Sequence, residues 1–300
     1  MRLAPTHGFS ELVFHVLAHV PLGGAGCSYD PRYRAWARAH MPEEPAQWLE
    51  QDAAVLERAW GQGRAPAAVH AWPELLESVA ELQAIATVEL GALPISRVRA
   101  PWVLQRLQAV GGPELELLHA TLCAQAPWHA SWYGRVLSVA LARAADRVRP
   151  WIERAALVLP SLASTRIELA WALGSRGRSF PARIVVGAPA EWNEMEPGMS
   201  AVLALHEQAV RDGGHASYAR AEWAALTRLA VRMDGARTEQ VELARLHARW
   251  LASLELRPLL AELRAMGVIG HEHELALHEE RERRAALLAH LHREPCGLGR

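Results

Sequence analysis

"TRIELAWALGSRGRSFPARIVVGAP", Thr165 to Pro189, is where the pattern of this chain changes. Ile167, Leu169 and Trp171 alternate with Arg166, Glu168 and Ala170, the period of two expected of a half-buried strand. "GSRGRSFP" then supplies two glycines and a proline, and "ARIVVGAP" is a short β-branched run. The stretch reads as two strands joined by a turn, a small sheet near 165–188. Arg176 and Arg178 fall in the glycine-rich turn. They can hold a carboxylate or phosphate, but arginines in turn chemistry of this kind more often solvate a hairpin tip.

On both sides of this stretch the pattern is helical. Asp30 followed by Pro31 reads as an N-cap with proline at the first helical position, and Pro45, Pro73, Pro101 and Pro113 stand at similar starts. "PLGG" from Pro21, "GQG" from Gly61 and the pair Gly111–Gly112 read as stops. Helices are predicted near 9–20, 31–41, 45–60, 73–90, 101–110, 113–125 and 128–158, with Pro150 kinking or dividing the last. They resume near 197–212, 216–232, 236–265 and 271–292. No fixed-period repeat is present, which excludes a solenoid. The predicted class is mainly α with a small β-sheet, α+β. Residues 1–160 form a helical N-terminal region, 161–292 a small sheet plus helices, and 293–300 a tail, with one continuous domain as the alternative.

With 300 residues, 51% of them apolar, the chain can bury the core of one large domain or two small ones. Its formal charge of -1 gives no excess that points to nucleic acid or an anionic membrane. All 32 basic residues are arginine, which excludes a Schiff-base lysine, a P-loop lysine and a lysine general base. Cys27, Cys123 and Cys296 are far apart and form no CxxC, so neither a disulfide framework nor a cysteine zinc cluster is expected. His7, Glu11, His15 and His19 interrupt the apolar N-terminal stretch, unlike the h-region of a signal peptide. No apolar run is long enough to cross a bilayer, and a cytoplasmic location is expected. There is no GxSxG, GxGxxG or Walker loop. The twelve tryptophans are read as core anchors or as the lining of an apolar groove; no basic cluster accompanies them to suggest nucleic-acid stacking.

Downstream of the strands lies "VLALHEQAV", Val202 to Val210. Met199, Val202, Leu203, His206 and Val210 share one stripe at helical spacing, so His206 is predicted to point inward. A buried imidazole needs a metal, a carboxylate or a carbonyl. The plainer reading is a hydrogen-bonded core histidine, with Glu207 paired to Arg211 at i,i+4 on the surface. A following helix carries "YARAEW", with Tyr218 and Glu222. This order of strand, His-Glu helix and glutamate-bearing helix resembles zincin-type metallopeptidases over about residues 165–230, particularly those whose third ligand is a glutamate on the next helix. The resemblance implies that His206 and Glu222 are metal ligands, that Glu207 is the general base for a metal-bound water, and that Tyr218 supports the oxyanion. It also implies a strand bordering a substrate cleft beside the metal-binding helix. The departure is Val210, which stands where the motif has its second histidine. A catalytic zinc takes three protein ligands and an open position, and the motif here supplies two.

A further donor is sought in "HGFSELVFHVLAH", where His7, Glu11, His15 and His19 recur every four residues on a helix apolar nearly all round. Two imidazoles at i and i+4 can share a metal ion, so His15 and His19 are candidate ligands beside His206. The alternative makes this stripe the helix's solvent-facing edge. Zinc is the favoured ion, with iron or manganese open. His271, His273 and His278 sit among dense mixed charge and read as a solvated helix. Glu116 and His119 have the i,i+3 spacing of di-iron carboxylate sites, with no second copy.

The leading expectation is a zincin-like metal-binding protein that hydrolyses a peptide bond with a metal-bound water. One rival is a non-catalytic helical interaction protein with a degenerate site. Another is a metal-dependent enzyme built on His15 and His19. The expected partner is a peptide or protein, with neither nucleic acid nor membrane.

Overall fold

The computed structural model describes residues 2–20, 29, 31–60, 112–180, 183–213, 218–234 and 240–254. The predicted helices near 73–90, 101–110 and 271–292, the His271–His278 cluster, Cys27, Cys296 and the tail lie outside the described residues. The fold is mainly helical with a small mixed sheet. Residues 2–146 and 166–195 form one compact unit; residues 147–165 and those from 196 onward form another. No helix among the described residues is long and apolar enough to cross a membrane.

The first unit carries a four-stranded sheet of β1 (Arg2–Pro5), β2 (Arg166–Ala170), β3 (Gly177–Ser179) and β4 (Arg183–Gly187), in the order β1-β2-β4-β3. β1, β2 and β4 run parallel, with Leu3 opposite Ile167 and Ile167 opposite Ile184; β3 returns antiparallel on β4. The predicted two-strand hairpin is therefore corrected. The hairpin joins β3 to β4, while β2 pairs in parallel with β4 and a fourth strand comes from the N-terminus.

The alternation predicted for β2 is also corrected. Residues 167–170 are buried on both faces, as parallel strands covered on two sides are. Glu168, predicted to face outward, is fully buried and held by Arg166 at 2.5 Å and Arg183 at 3.2 Å. Gly174 takes the turn at φ 54°. A Cβ on Gly187 would lie 1.5 Å from the Gly174 carbonyl oxygen, so β4 ends on a glycine because two backbones meet there. Arg176 is exposed in the connection between β2 and β3, whereas Arg178 lies half-buried within β3 and its guanidinium donates to the Gly177 carbonyl at 2.7 Å, so neither solvates the tip of the β3–β4 hairpin as expected.

Helix α1 (Gly8–His19) is capped by the His7 imidazole, which accepts from the Ser10 N–H, and every residue from Phe9 to His19 is buried. α2 (Pro31–His40), α3 (Glu43–Trp60) and α4 (Gly112–Trp132) belong to the same unit. Gln125 donates to the Pro45 carbonyl and Thr121 to Asp52, fastening α4 to α3. A π-helical turn, Tyr133–Leu137, separates α4 from α5 (Ser138–Val158). The predicted division at Pro150 thus falls earlier; Pro127 and Pro150 are both accommodated within helices.

The second unit holds the later part of α5, α6 (Pro197–Gly213), α7 (Tyr218–Asp234) and α8 (Val241–Ser253). Gly198 lets α6 approach closely: a Cβ there would stand 2.3 Å from Leu246 Cδ1 and 2.8 Å from Trp151 Cε3. Thr165 donates to Gln208 at 2.7 Å and Ser161 to Asp212 at 2.6 Å, fastening the C-terminal half of α6 to the 3-10 turn that follows α5.

Candidate functional site

His206 lies midway along α6, where Ser200 to Val210 are buried without interruption. The amphipathic stripe predicted from spacing is therefore too narrow: α6 is buried on every side over that stretch. Each polar side chain on such a helix needs a partner. His206 finds one in Glu222 of α7, with Nε2 2.9 Å from Oε1. The Trp250 ring of α8 closes over the imidazole, centroid to centroid 4.8 Å.

Burial pushes the His206 pKa down. The charge and hydrogen bond of Glu222, together with the charge of Glu207, outweigh it and hold the imidazole above its ordinary value. The His206 Nδ1 atom is buried and makes no hydrogen bond among the described residues. Glu207 is buried at 6% exposure while Arg211 is exposed, which overturns the surface-pair reading of Glu207. Tyr218 is the first residue of α7; its side chain lies outside the described part of the structure.

His15 and His19 belong to the other compact unit, so the structure brings His206 together with Glu222, and His15 together with His19. Neither forms a solvent-facing edge of α1: Glu11 and His15 are fully buried and His19 is 6% exposed. Glu11 accepts hydrogen bonds from the Thr6 hydroxyl at 3.0 Å and the Trp171 N–H at 2.5 Å, tying α1 to the ends of β1 and β2. Burial raises its carboxyl to about 7 despite those bonds. His15 Nδ1 meets the Tyr33 hydroxyl at 2.8 Å, and His19 Nδ1 donates to the His15 carbonyl at 2.8 Å.

The reading of spacing missed His129, whose ring centroid is 5.6 Å from that of His15, and Tyr33. Both reach the cluster from other helices, α4 and α2, and local spacing carries no record of that. The only hint lay in "WHASWY", where Trp128, His129, Trp132 and Tyr133 crowd two turns of helix. His119, the di-iron candidate, meets the Cys123 thiol at 3.2 Å on its own helix.

Comparison with models of protein families, with curated proteins and with solved structures finds no match.

The fit of a zinc ion is accordingly judged on the donors themselves. Two ligands of one tetrahedral zinc stand about 3.3 Å apart, close to the His206–Glu222 separation. Position 210, where the motif has its second histidine, carries the buried side chain of Val210, which offers no donor. Among the described residues, no three His, Cys, Asp or Glu side chains are grouped to hold a metal ion. The donor set at His206 is one short of a catalytic zinc, and no hydrolytic step through a metal follows from it.

Proposed function

We propose that this chain is a helical protein-interaction protein built on a zincin-like frame whose peptidase centre is degenerate. The observation that carries the reading is the His206–Glu222 contact at 2.9 Å beside a buried Val210. The likeness to a metallopeptidase frame is supported by the order of a helix carrying His206 and Glu207 followed by a helix carrying Glu222. The position that would complete the ligand set carries hydrocarbon. The imidazole Nε2 and the carboxylate close on each other directly, so this contact is made without an ion between them.

A role in binding rather than catalysis is supported by apolar side chains left at the surface. Trp48 is 43% and Val55 41% exposed, seven residues apart and so on one face of α3. Exposed tryptophan beside aliphatic surface is the type of anchor that protein partners cover.

The test is a peptidase assay of the full purified chain supplied with zinc, on unstructured protein substrate. The reading expects no hydrolysis and no change on Glu207→Gln. Zinc-dependent hydrolysis abolished by Glu207→Gln would overturn it in favour of an active metallopeptidase with Glu207 as the base.

A further inference from the structure

We propose that the cavity between α1, α2 and α3 binds an α-amino acid with an apolar side chain, its carboxylate on Arg34 and its ammonium on Glu57 and His19. This goes beyond the preceding reading, which rests on other residues. The cavity holds about 560 Å³, the size of a small-molecule site. One wall is a face of α3 from Ala46 to Glu57, which at the helical rise spans about 16 Å.

The two ends of the cavity differ in character. α2 passes into α3 through Met41 and Pro42, and the end beside that connection is walled by Met41, Ala46 and Leu49. Farther along, Arg38 and Glu50 pair from one helix to the other at 2.5 Å. Beyond that pair, Arg34 stands one turn farther from the connection on α2, and Glu57 two turns farther on α3. Both are exposed, and neither makes an ion pair among the described residues. His19 belongs to this same end, because its ring centroid lies 6.2 Å from that of Tyr33, the chain neighbour of Arg34. One end therefore offers a guanidinium, a carboxylate and an imidazole, and the other offers hydrocarbon.

The three polar groups select the ligand. An arginine without a partner recognises a carboxylate or a phosphate. Glu57 at the same end opposes a doubly charged phosphate and favours a ligand that also carries a cation. His19 Nδ1 meets the His15 carbonyl, which can only accept, so the ring proton sits on Nδ1 and Nε2 keeps its lone pair. That atom is buried and makes no hydrogen bond among the described residues, so it calls for a donor. Burial, joined by the charges of Arg34 and Arg38, lowers the His19 pKa to about 4, which keeps the ring neutral and able to accept at pH 7. An ammonium supplies N–H donors to His19 and a charge to Glu57, while the carboxylate one carbon away turns to Arg34. The side chain then runs along α3 toward Leu49 and Met41. The His19 bond to the His15 carbonyl stays in place throughout.

The experiment is isothermal titration calorimetry of the full chain at pH 7 with L-leucine, which should bind saturably at one per chain. Isocaproate lacks the ammonium and isoamylamine lacks the carboxylate, and each should bind roughly tenfold more weakly or worse. Arg34→Gln and Glu57→Gln should weaken leucine binding by a similar factor. Arg58→Gln, exposed on α3 outside the cavity, should leave it unchanged. L-Leucyl-L-leucine, whose two charges stand farther apart, should bind more weakly than leucine. The absence of saturable leucine binding overturns the proposal. So does equal binding of either single-charge analogue, binding that survives both substitutions, or a preference for the dipeptide, which would give the cavity to peptides instead. If a variant does not fold, the ligand series on the wild-type chain still decides.

Discussion

Two groups of buried histidines, one in each compact unit, have opposite electrostatics. In the second unit His206 is shielded from water yet held above its ordinary pKa, because a glutamate meets its Nε2 at 2.9 Å. In the first unit His15, His19 and His129 are equally shielded and held below theirs, with neutral partners or ring neighbours in place of a carboxylate. Burial acts downward on all four. What sets the sign is whether a carboxylate has been placed within reach. The contrast separates a histidine that meets a carboxylate from histidines whose neighbours are neutral.

Removing the carboxylate should erase the contrast at the largest cost. Glu222→Ala leaves a buried imidazole facing a void, and we expect a loss of about 3 kcal/mol in urea unfolding at pH 6. Glu222→Gln keeps an acceptor and should lose roughly half as much.

The pH dependence should separate the two groups. The His206 contribution is fully present below its unfolded pKa of 6.5 and is lost as pH rises through its raised folded value. Glu222→Gln should abolish that alkaline decline. His19 and His129 act the other way: their depressed values mean stability falls as pH drops from 6.5 toward about 4 and about 3. For His19 alone the full acid loss is on the order of 3 kcal/mol. Glu11 opposes it, since a carboxyl raised from 4.5 to about 7 gains relative stability as pH falls through that window. Glu11→Gln should therefore steepen the acid decline in a stability-versus-pH series. An acid limb unchanged by His129→Gln would remove the distinction between the clusters.

Smaller effects mark what the contrast does not involve. Gly198→Ala should cost about 1–3 kcal/mol by forcing Leu246 and Trp151 aside, without changing the shape of the pH profile. Trp48→Ala, on an exposed face, should change stability by less than about 0.5 kcal/mol in thermal melts.

How much of this was legible in the sequence varied with the range of the interaction. Helix positions were read closely: α1, α2, α3, α6 and α7 begin within about two residues of the predicted starts, because caps and apolar spacing are local signals. The sheet was only half legible. "RLAP" is four residues ending in proline, too short to show a period, and it is a strand only because β2 lies beside it. Glu168 broke the alternation rule because Arg183 is buried beside it and Arg166 reaches it from the exposed start of the strand. Glu222 was nominated only through the resemblance to zincin-type metallopeptidases, as a metal ligand, and it meets His206 directly. His129 and Tyr33 could not be matched to His15, since nothing in local spacing records a contact made by distant helices.

The account stands on the idea that α6 and α7 keep the geometry of a zinc centre with a single donor missing. Zinc uptake by Val210→His tests it most directly, because that change puts an imidazole one turn after His206, on the face that Glu222 meets. The variant should retain one zinc per chain more than the parent protein, and lose that added ion on Glu222→Ala. A folded variant that takes up no more zinc than its parent would contradict the claim.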